Sequence, residues 1–172
     1  MELDQIFLDS SARRLELLLS RIRDCLAKLS PGEIWARGNE NENAIGNLVL
    51  HLNGNVRQWI ISGAGGAPDN RQRDTEFARR ALMDTDELLG LLDGTVKEAV
   101  AVLHRTTGDR LAEQVTIQKY NVTVLEAIYH SVEHFSHHTG QIIFATKMLT
   151  GEDLGFYRHL NTAAGAPGEK TP

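Results

Sequence analysis

Four of the seven histidines lie within nine residues, at positions 130, 134, 137 and 138. At 3.6 residues per helical turn, His130, His134 and His138 follow one another along one stripe, whereas His137 lies about a quarter turn away. Two histidines four residues apart on a helix can present their ring nitrogens to one divalent ion. The spacing therefore predicts a metal site on this helix, with a further ligand from elsewhere in the chain.

His51 is the candidate for that further ligand. It lies in line with Asn47 and Asn55 at four-residue steps, within a segment that is otherwise apolar. A polar stripe on a core-facing helix needs partners, because buried polar groups are almost always hydrogen-bonded. A lone histidine there would most simply bond to a neighbouring helix, but the histidine cluster later in the chain favours a metal ligand.

Two histidine pairs compete for the metal on the later helix. His130-Ser131-Val132-Glu133-His134 matches the inverted zinc-peptidase motif H-x-x-E-H, in which Glu133 would be the general base. Such a site also needs a downstream carboxylate ligand, and only three acidic residues follow the helix, in a short stretch, which disfavours a peptidase. The alternative pair is His134 and His138.

The stretch His134-Phe135-Ser136-His137-His138-Thr139-Gly140-Gln141 resembles the fourth helix of the DinB-like metal-binding four-helix bundles. That family has a histidine in its second helix, then H-x-x-x-H followed closely by Gly-Gln, and His51 matches the first of these. Residues 43–60 also resemble the second helix of one branch of the superfamily. The resemblance covers roughly residues 3–150. It implies an all-α, DinB-like four-helix bundle with long loops, one divalent metal bound by His51, His134 and His138, and a homodimer.

Three neutral imidazoles leave one to three coordination positions open, which is typical of catalytic rather than closed structural sites. Zinc in such a site lowers the pKa of bound water or holds a thiol as its thiolate, and nickel also suits imidazole ligands. Each ligand should pass its second ring proton to an acceptor. The candidate supporting residues are Asn47, Asn55, His130, Glu133 and Gln141.

The DinB-like members of known chemistry are thiol-dependent transferases and an isomerase that act with low-molecular-weight thiols. The resemblance thus implies a metal-dependent thiol S-transferase acting on small electrophiles, with a low-molecular-weight thiol as its partner. Two alternatives stay open. One is a non-catalytic, stress-related metal-binding protein, and the other is a metal-dependent hydrolase.

Four amphipathic segments must position these residues. Apolar side chains recur at three- and four-residue spacings over about 3–29, 44–61, 85–105 and 123–149, which predicts four helices. Capping-box patterns at Ser30 and Thr123 predict a short helical turn and the start of the last helix, and Asn41 or Asn43 is the predicted cap of the second. Gly54 and Gly140 are predicted to permit close helix approach.

The connections differ in character. The run from Ser62 to Pro68 ends the second helix and predicts a long mobile connection, in which residues 76–78 form a turn. Residues 113–119 alternate in a way that favours an extended segment. Small and polar residues dominate 161–172, which we expect to be a flexible tail after a single domain of residues 1–160.

Composition limits the classes of partner. The 172 residues carry a formal charge of −5, which argues against binding of nucleic acid, and no apolar run reaches the length of a membrane span. The single cysteine, Cys25, cannot form an intramolecular disulfide and is expected to be buried. We therefore expect a cytoplasmic protein that acts on a small molecule.

Overall fold

The computed structural model describes residues 2–80 and 83–158, and these residues form the predicted helical bundle. Its four long helices are α1 (Leu3–Leu26), α3 (Ile45–Val56, continued by a π-helical segment over Arg57–Ala64), α5 (Thr85–Arg105) and α7 (Val124–Thr150). Three short helices connect them: α2 (Pro31–Trp35), α4 (Arg73–Ala78) and α6 (Gly108–Leu111).

The core is built from the apolar stripes that the sequence pattern predicts. Helix α1 packs against α5 and α7, and α3 packs against the same two helices. Burying one leucine, isoleucine or phenylalanine side chain stabilises a fold by about 1.5–3 kcal/mol. Each long helix contributes several such side chains with no solvent exposure, among them Leu15, Ile22, Leu52, Leu92 and Phe135.

Local capping signals set most of the helix boundaries. Both capping boxes are confirmed, because Ser30 and Thr123 each accept a hydrogen bond from the backbone N–H three residues on, and Glu33 and Glu126 reach back. The predicted cap of the second long helix is wrong. Ala44 is the residue before α3, and no side chain caps the helix there.

The predicted extended segment is the first half of a β-hairpin. Strand β1 (Gln114–Ile117) pairs with β2 (Tyr120–Thr123) in antiparallel register, and β2 leads directly into α7. Ile117 packs against Trp59 and Ala127, which fixes the hairpin to the bundle. The two turn residues, Gln118 and Lys119, both have positive φ, at 52° and 75°.

The connection between α3 and α5 is packed rather than loose. Its helix α4 lies against α3, and Gly54 makes this possible, because a Cβ there would overlap Oε1 of Glu76. The close approach predicted at Gly54 is therefore confirmed. The same prediction for Gly140 is wrong, since nothing lies within 4 Å of where its Cβ would be.

Cys25 is fully buried, as predicted. Burial raises the pKa of its thiol, and the nearby Asp24 carboxylate raises it further, against a hydrogen bond to Thr146 that lowers it. A buried thiol with a raised pKa is a poor nucleophile. Cys25 is therefore a core residue.

No helix within residues 2–80 and 83–158 is long and apolar enough to span a membrane. The predicted flexible tail over 161–172 lies outside the described residues.

Candidate metal centre

His51 from α3 meets His134 and His138 from α7 at the interface of the two helices. One ring nitrogen from each of the three histidines lies within 4.8 Å of the other two, and the Nε2 atoms of His51 and His134 are 2.8 Å apart. Within the described parts of the chain, no other group of three or more potential metal ligands comes as close together. The three histidines are therefore positioned to hold a metal ion.

Helix geometry explains this convergence. The four-residue step on α7 stacks His134 and His138 on one face, with ring centroids 4.4 Å apart and nearly perpendicular. The packing of α3 against α7 adds the His51 ring at 4.9 Å and 5.1 Å from these two. His51 is 4% exposed and the other two are half-buried.

Hydrogen bonds orient two of the three rings. His51 Nδ1 lies 2.8 Å from Oε2 of Glu76, and His138 Nδ1 lies 2.7 Å from Oε1 of Gln141. Because a carboxylate or amide oxygen only accepts, each Nδ1 carries the proton and donates it. Nη2 of Arg71 also lies 3.1 Å from His51 Nδ1, but its own N–H is directed to the Glu76 carboxylate at 2.9 Å. The Nε2 lone pairs of both rings are then free to bind an ion, as in the carboxylate–histidine–metal arrangement.

The Glu76 carboxylate is held by Arg71. Nε of Arg71 donates to Oε1 at 2.8 Å and Nη2 donates to Oε2 at 2.9 Å, a bidentate pair in which both side chains are nearly buried. Burial raises the pKa of Glu76, but the hydrogen bonds from Arg71 and His51 outweigh it, and the net pKa is lowered. Glu76 is therefore ionised and able to accept the His51 proton.

The network extends from Arg71 to the hairpin. Arg71 Nη1 donates to Oε1 of Gln58 at 2.9 Å, and Gln118 Nε2 donates to the same oxygen. Gln58 in turn donates to Asp69 at 2.7 Å. Gln58 belongs to the π-helical segment, a feature that often accompanies functional sites. A continuous chain of hydrogen bonds thus joins His51 to the hairpin turn.

His130, His134 and His138 on α7 are neutral at physiological pH. Burial lowers the pKa of His134 to about 3, and repulsion from His138, His51, His130 and Arg71 adds to the effect. Burial is also the main cause of the lowered pKa of His138 and His130. Since a metal binds the neutral imidazole, these rings need not lose a proton to accept an ion.

A cavity of about 440 Å³ opens beside His51 and His134. This size is typical of small-molecule sites. Its remaining lining combines apolar walls, polar groups and two arginines: Asn55, Trp59, Arg71, Arg73, Gln118, Tyr120, Val122, Glu126 and His130.

Three of the five predicted supporting residues lie at the cluster or the cavity. Gln141 bonds directly to His138. The His130 ring stacks 5.5 Å from His134 and 4.1 Å from Trp59. Asn55 lines the cavity and accepts a hydrogen bond from Ser131 at 3.3 Å, but it forms no hydrogen bond with the rings of the three-histidine cluster.

The other two act elsewhere. Asn47 donates to the backbone oxygens of Glu76 and Arg79, so it anchors α4 rather than accepting a histidine proton. Glu133 is exposed and lines a different surface cleft with Arg14 and His137. The inverted-peptidase motif therefore does not bring its general base to the three-histidine cluster, because residues 133 and 134 point to different sides of α7.

Sequence reasoning missed Glu76 and Arg71. Both lie in the connection between α3 and α5, and nothing in their spacing relates them to His51, which is 25 and 20 residues away respectively. The available signal was Gly54, a glycine inside a helix, which marks a place where another part of the chain comes close.

The chain matches the family described as "Protein of unknown function (DUF1572)" over residues 2–164. None of the curated proteins compared with the chain matches it.

Two solved structures share the fold. A conserved protein from Enterococcus faecalis has 15% identity and a TM-score of 0.69, with 88% of this chain and 99% of that one covered. A histidine-to-alanine mutant of a mycothiol-dependent maleylpyruvate isomerase has 15% identity and a TM-score of 0.56 over 78% of this chain. This chain covers 60% of the isomerase's length. At these identities the likeness shows the fold alone, that of a DinB-like helical bundle.

Proposed function

The chain belongs to the DUF1572 family, and we propose that it binds one divalent metal ion through His51, His134 and His138 and transfers a low-molecular-weight thiol to small electrophiles. The observation that carries the proposal is the convergence of three imidazoles beside a cavity of small-molecule size.

The residues present fit such an ion. Three nitrogen donors of borderline softness suit zinc or nickel, and the paired Nδ1 atoms of His51 and His138 leave Nε2 as the donor atom. Three protein ligands leave a position for a further ligand. The donor set thus favours a site that accepts a small molecule over a closed structural one.

A metal ion in this site would supply positive charge that stabilises a bound thiolate, the nucleophilic form of a thiol. The chain's own residues supply the rest. His130 lines the cavity and is neutral, and we assign it the role of accepting the thiol proton. Trp59 and Val122 provide apolar walls against which the organic part of a substrate can pack.

The thiol part of the proposal draws further support from the shared fold. One solved structure with this fold is a mycothiol-dependent enzyme. Its thiol is a property of that protein, and for this chain a small thiol is our hypothesis.

The test starts with metal analysis of the purified full chain, followed by assays of zinc-loaded and nickel-loaded protein with a panel of thiols and a model electrophile. Thiol-dependent loss of the electrophile should require metal and vanish in His138→Ala. It should persist in His137→Ala, because His137 is exposed and outside the cluster. Equal rates in metal-free and metal-loaded protein would refute the transferase. Hydrolysis without thiol would indicate a hydrolase, and tight metal binding without turnover would indicate a non-catalytic protein.

We also propose that the protein is a homodimer that works in the cytoplasm. Phe144 and Met148 lie one turn apart on α7 and are 68% and 71% exposed, which favours burial against a second copy. The free thiol of Cys25 fits a reducing compartment. A monomer mass that does not change with concentration in sedimentation equilibrium would refute the dimer.

A further inference from the structure

Arg73 lies at the rim of the cavity and is held there by an aromatic ring. Its guanidinium carbon is 5.2 Å from the centroid of the Phe77 ring, and that ring is 4.6 Å from the centroid of His51. Taken together, these two distances place the guanidinium carbon of Arg73 no farther than about 10 Å from the centroid of the His51 ring. Phe77 therefore links Arg73 to the three-histidine cluster.

The charges around the cavity leave Arg73 as its uncommitted cation. Arg71, the other arginine of the lining, is engaged by Glu76 and Gln58. No carboxylate within residues 2–80 and 83–158 forms an ion pair with Arg73. Glu126 also lines the cavity, but one of its oxygens accepts both the N–H and the hydroxyl of Thr123.

The remaining walls are those of a site for a compact organic ligand. Trp59 and Val122 offer apolar surface, and Tyr120 and Gln118 come from the hairpin. The hydrogen bond from Gln118 to Gln58 holds the hairpin turn against the π-helical segment. The cavity thus has an apolar body, a three-histidine cluster at one side and, among the residues described, a single available guanidinium at the rim.

We propose that this cavity binds a ligand with a carboxylate group, and that Arg73 is the residue that recognises it. One guanidinium suits one carboxylate, which it can bind through two parallel hydrogen bonds. A phosphate dianion fits less well, because Arg71 is already engaged and Glu126 adds negative charge to the wall. The idea that this carboxylate belongs to a thiol or electrophile substrate rests on the proposed function. The binding of a carboxylate by Arg73 does not depend on that function.

The experiment compares two thiols of equal length, 6-mercaptohexanoate and 6-mercaptohexan-1-ol, by calorimetric titration into the zinc-loaded full chain. A charge-assisted hydrogen-bonded pair should make the carboxylate thiol bind about 10- to 100-fold more tightly. Arg73→Gln should remove this preference and leave binding of the alcohol unchanged, and Arg73→Lys should retain part of it. Arg79→Gln is the matched control, because it removes the same charge from a nearby exposed arginine that does not line this cavity.

Two further probes separate this inference from the proposed function. Hexanoate, which lacks a thiol, should bind the metal-free protein and lose affinity in Arg73→Gln but not in Arg79→Gln. Methyl phosphate should bind more weakly than hexanoate. If neither thiol binds the zinc-loaded protein while hexanoate binding still depends on Arg73, the thiol function fails and the carboxylate site stands. If both thiols bind equally and hexanoate binding does not change in Arg73→Gln, or if methyl phosphate binds more tightly, the carboxylate site is refuted.

Discussion

The two halves of the candidate metal centre come from contrasting parts of the chain. One half is α7, a regular helix that places His134 and His138 on one face by its own periodicity. The other half is the connection from α3 to α5, where Arg71 and Glu76 reach His51 from an irregular segment with the six-residue helix α4.

The difference shows that the metal ligands and the residues that support them come from different kinds of segment in this fold. Long helices hold the nitrogen donors in fixed positions, and the connection supplies the carboxylate that accepts the Nδ1 proton of His51. Glu76 fixes the proton of His51 on Nδ1, while Arg71 keeps Glu76 ionised. Variants in the two halves should therefore have effects of different size.

The ligands themselves should show the strongest response to substitution. Replacing His51, His134 or His138 by alanine removes one of three nitrogen donors and should lower metal affinity by more than about 100-fold, beyond the effect of a supporting residue. Metal content after gel filtration and competition with a chelator would measure it. His137→Ala should keep the metal. If His130→Ala emptied the site and His138→Ala did not, the pair of the inverted-peptidase motif would be preferred.

The supporting half should respond next most strongly. Glu76→Gln removes the charge that orients His51 and should lower metal affinity by about 10- to 100-fold. Glu133→Gln makes the same chemical change on the exposed side of α7 and should leave affinity unchanged. Chelator competition on both variants tests the contrast. Equal losses in the two would mean that overall charge, rather than the contact with His51, controls affinity.

The two glycines should respond in opposite directions. Gly54→Ala would force Glu76 and Arg71 from their places and should lower the free energy of unfolding by about 1–3 kcal/mol. Gly140→Ala enters open space on a helix and should raise it by up to about 1 kcal/mol. Urea denaturation of the metal-free proteins gives both values. A stable Gly54→Ala protein with unchanged metal affinity would show that the connection tolerates displacement.

A modest loss of stability in acid is expected from His134. Its pKa is about 3 in the folded protein and about 6.5 when unfolded, so the unfolded state binds more protons between these values. Stability should therefore fall as the pH drops from 6.5 towards 3. With allowance for solvent screening, we expect His134 to lower the free energy of unfolding by about 1 kcal/mol as the pH falls from 7 to 5.

Urea denaturation with EDTA present would measure this dependence. His134→Gln should make the decline shallower, and His137→Gln should not, since His137 is exposed. An identical pH dependence in the wild type and His134→Gln would contradict the burial of a neutral ring.

Much of the fold was predictable because its signals are local. The apolar spacing predicted α5 at residues 85–105, which are its observed bounds. Thr123 and Glu126 predicted the start of α7, because a capping box uses only residues three apart. The cap of α3 was not predictable in this way, since Ala44 precedes the helix with no side-chain hydrogen bond and burial of Ile45 and Val49 holds the helix in place.

The order of amino acids was enough to predict the four long helices, the face shared by His134 and His138, and the candidacy of His51. Helical periodicity and capping act over a few residues, so they can be read along the chain. Three further points became clear only from the packing. Glu76 and Arg71 support His51, Glu133 lies on the side of α7 away from the three-histidine cluster, and Arg73 lines the cavity. Those positions depend on how separate helices pack and where a connection of some twenty residues crosses α3, and such contacts between distant residues leave no periodic trace in the sequence.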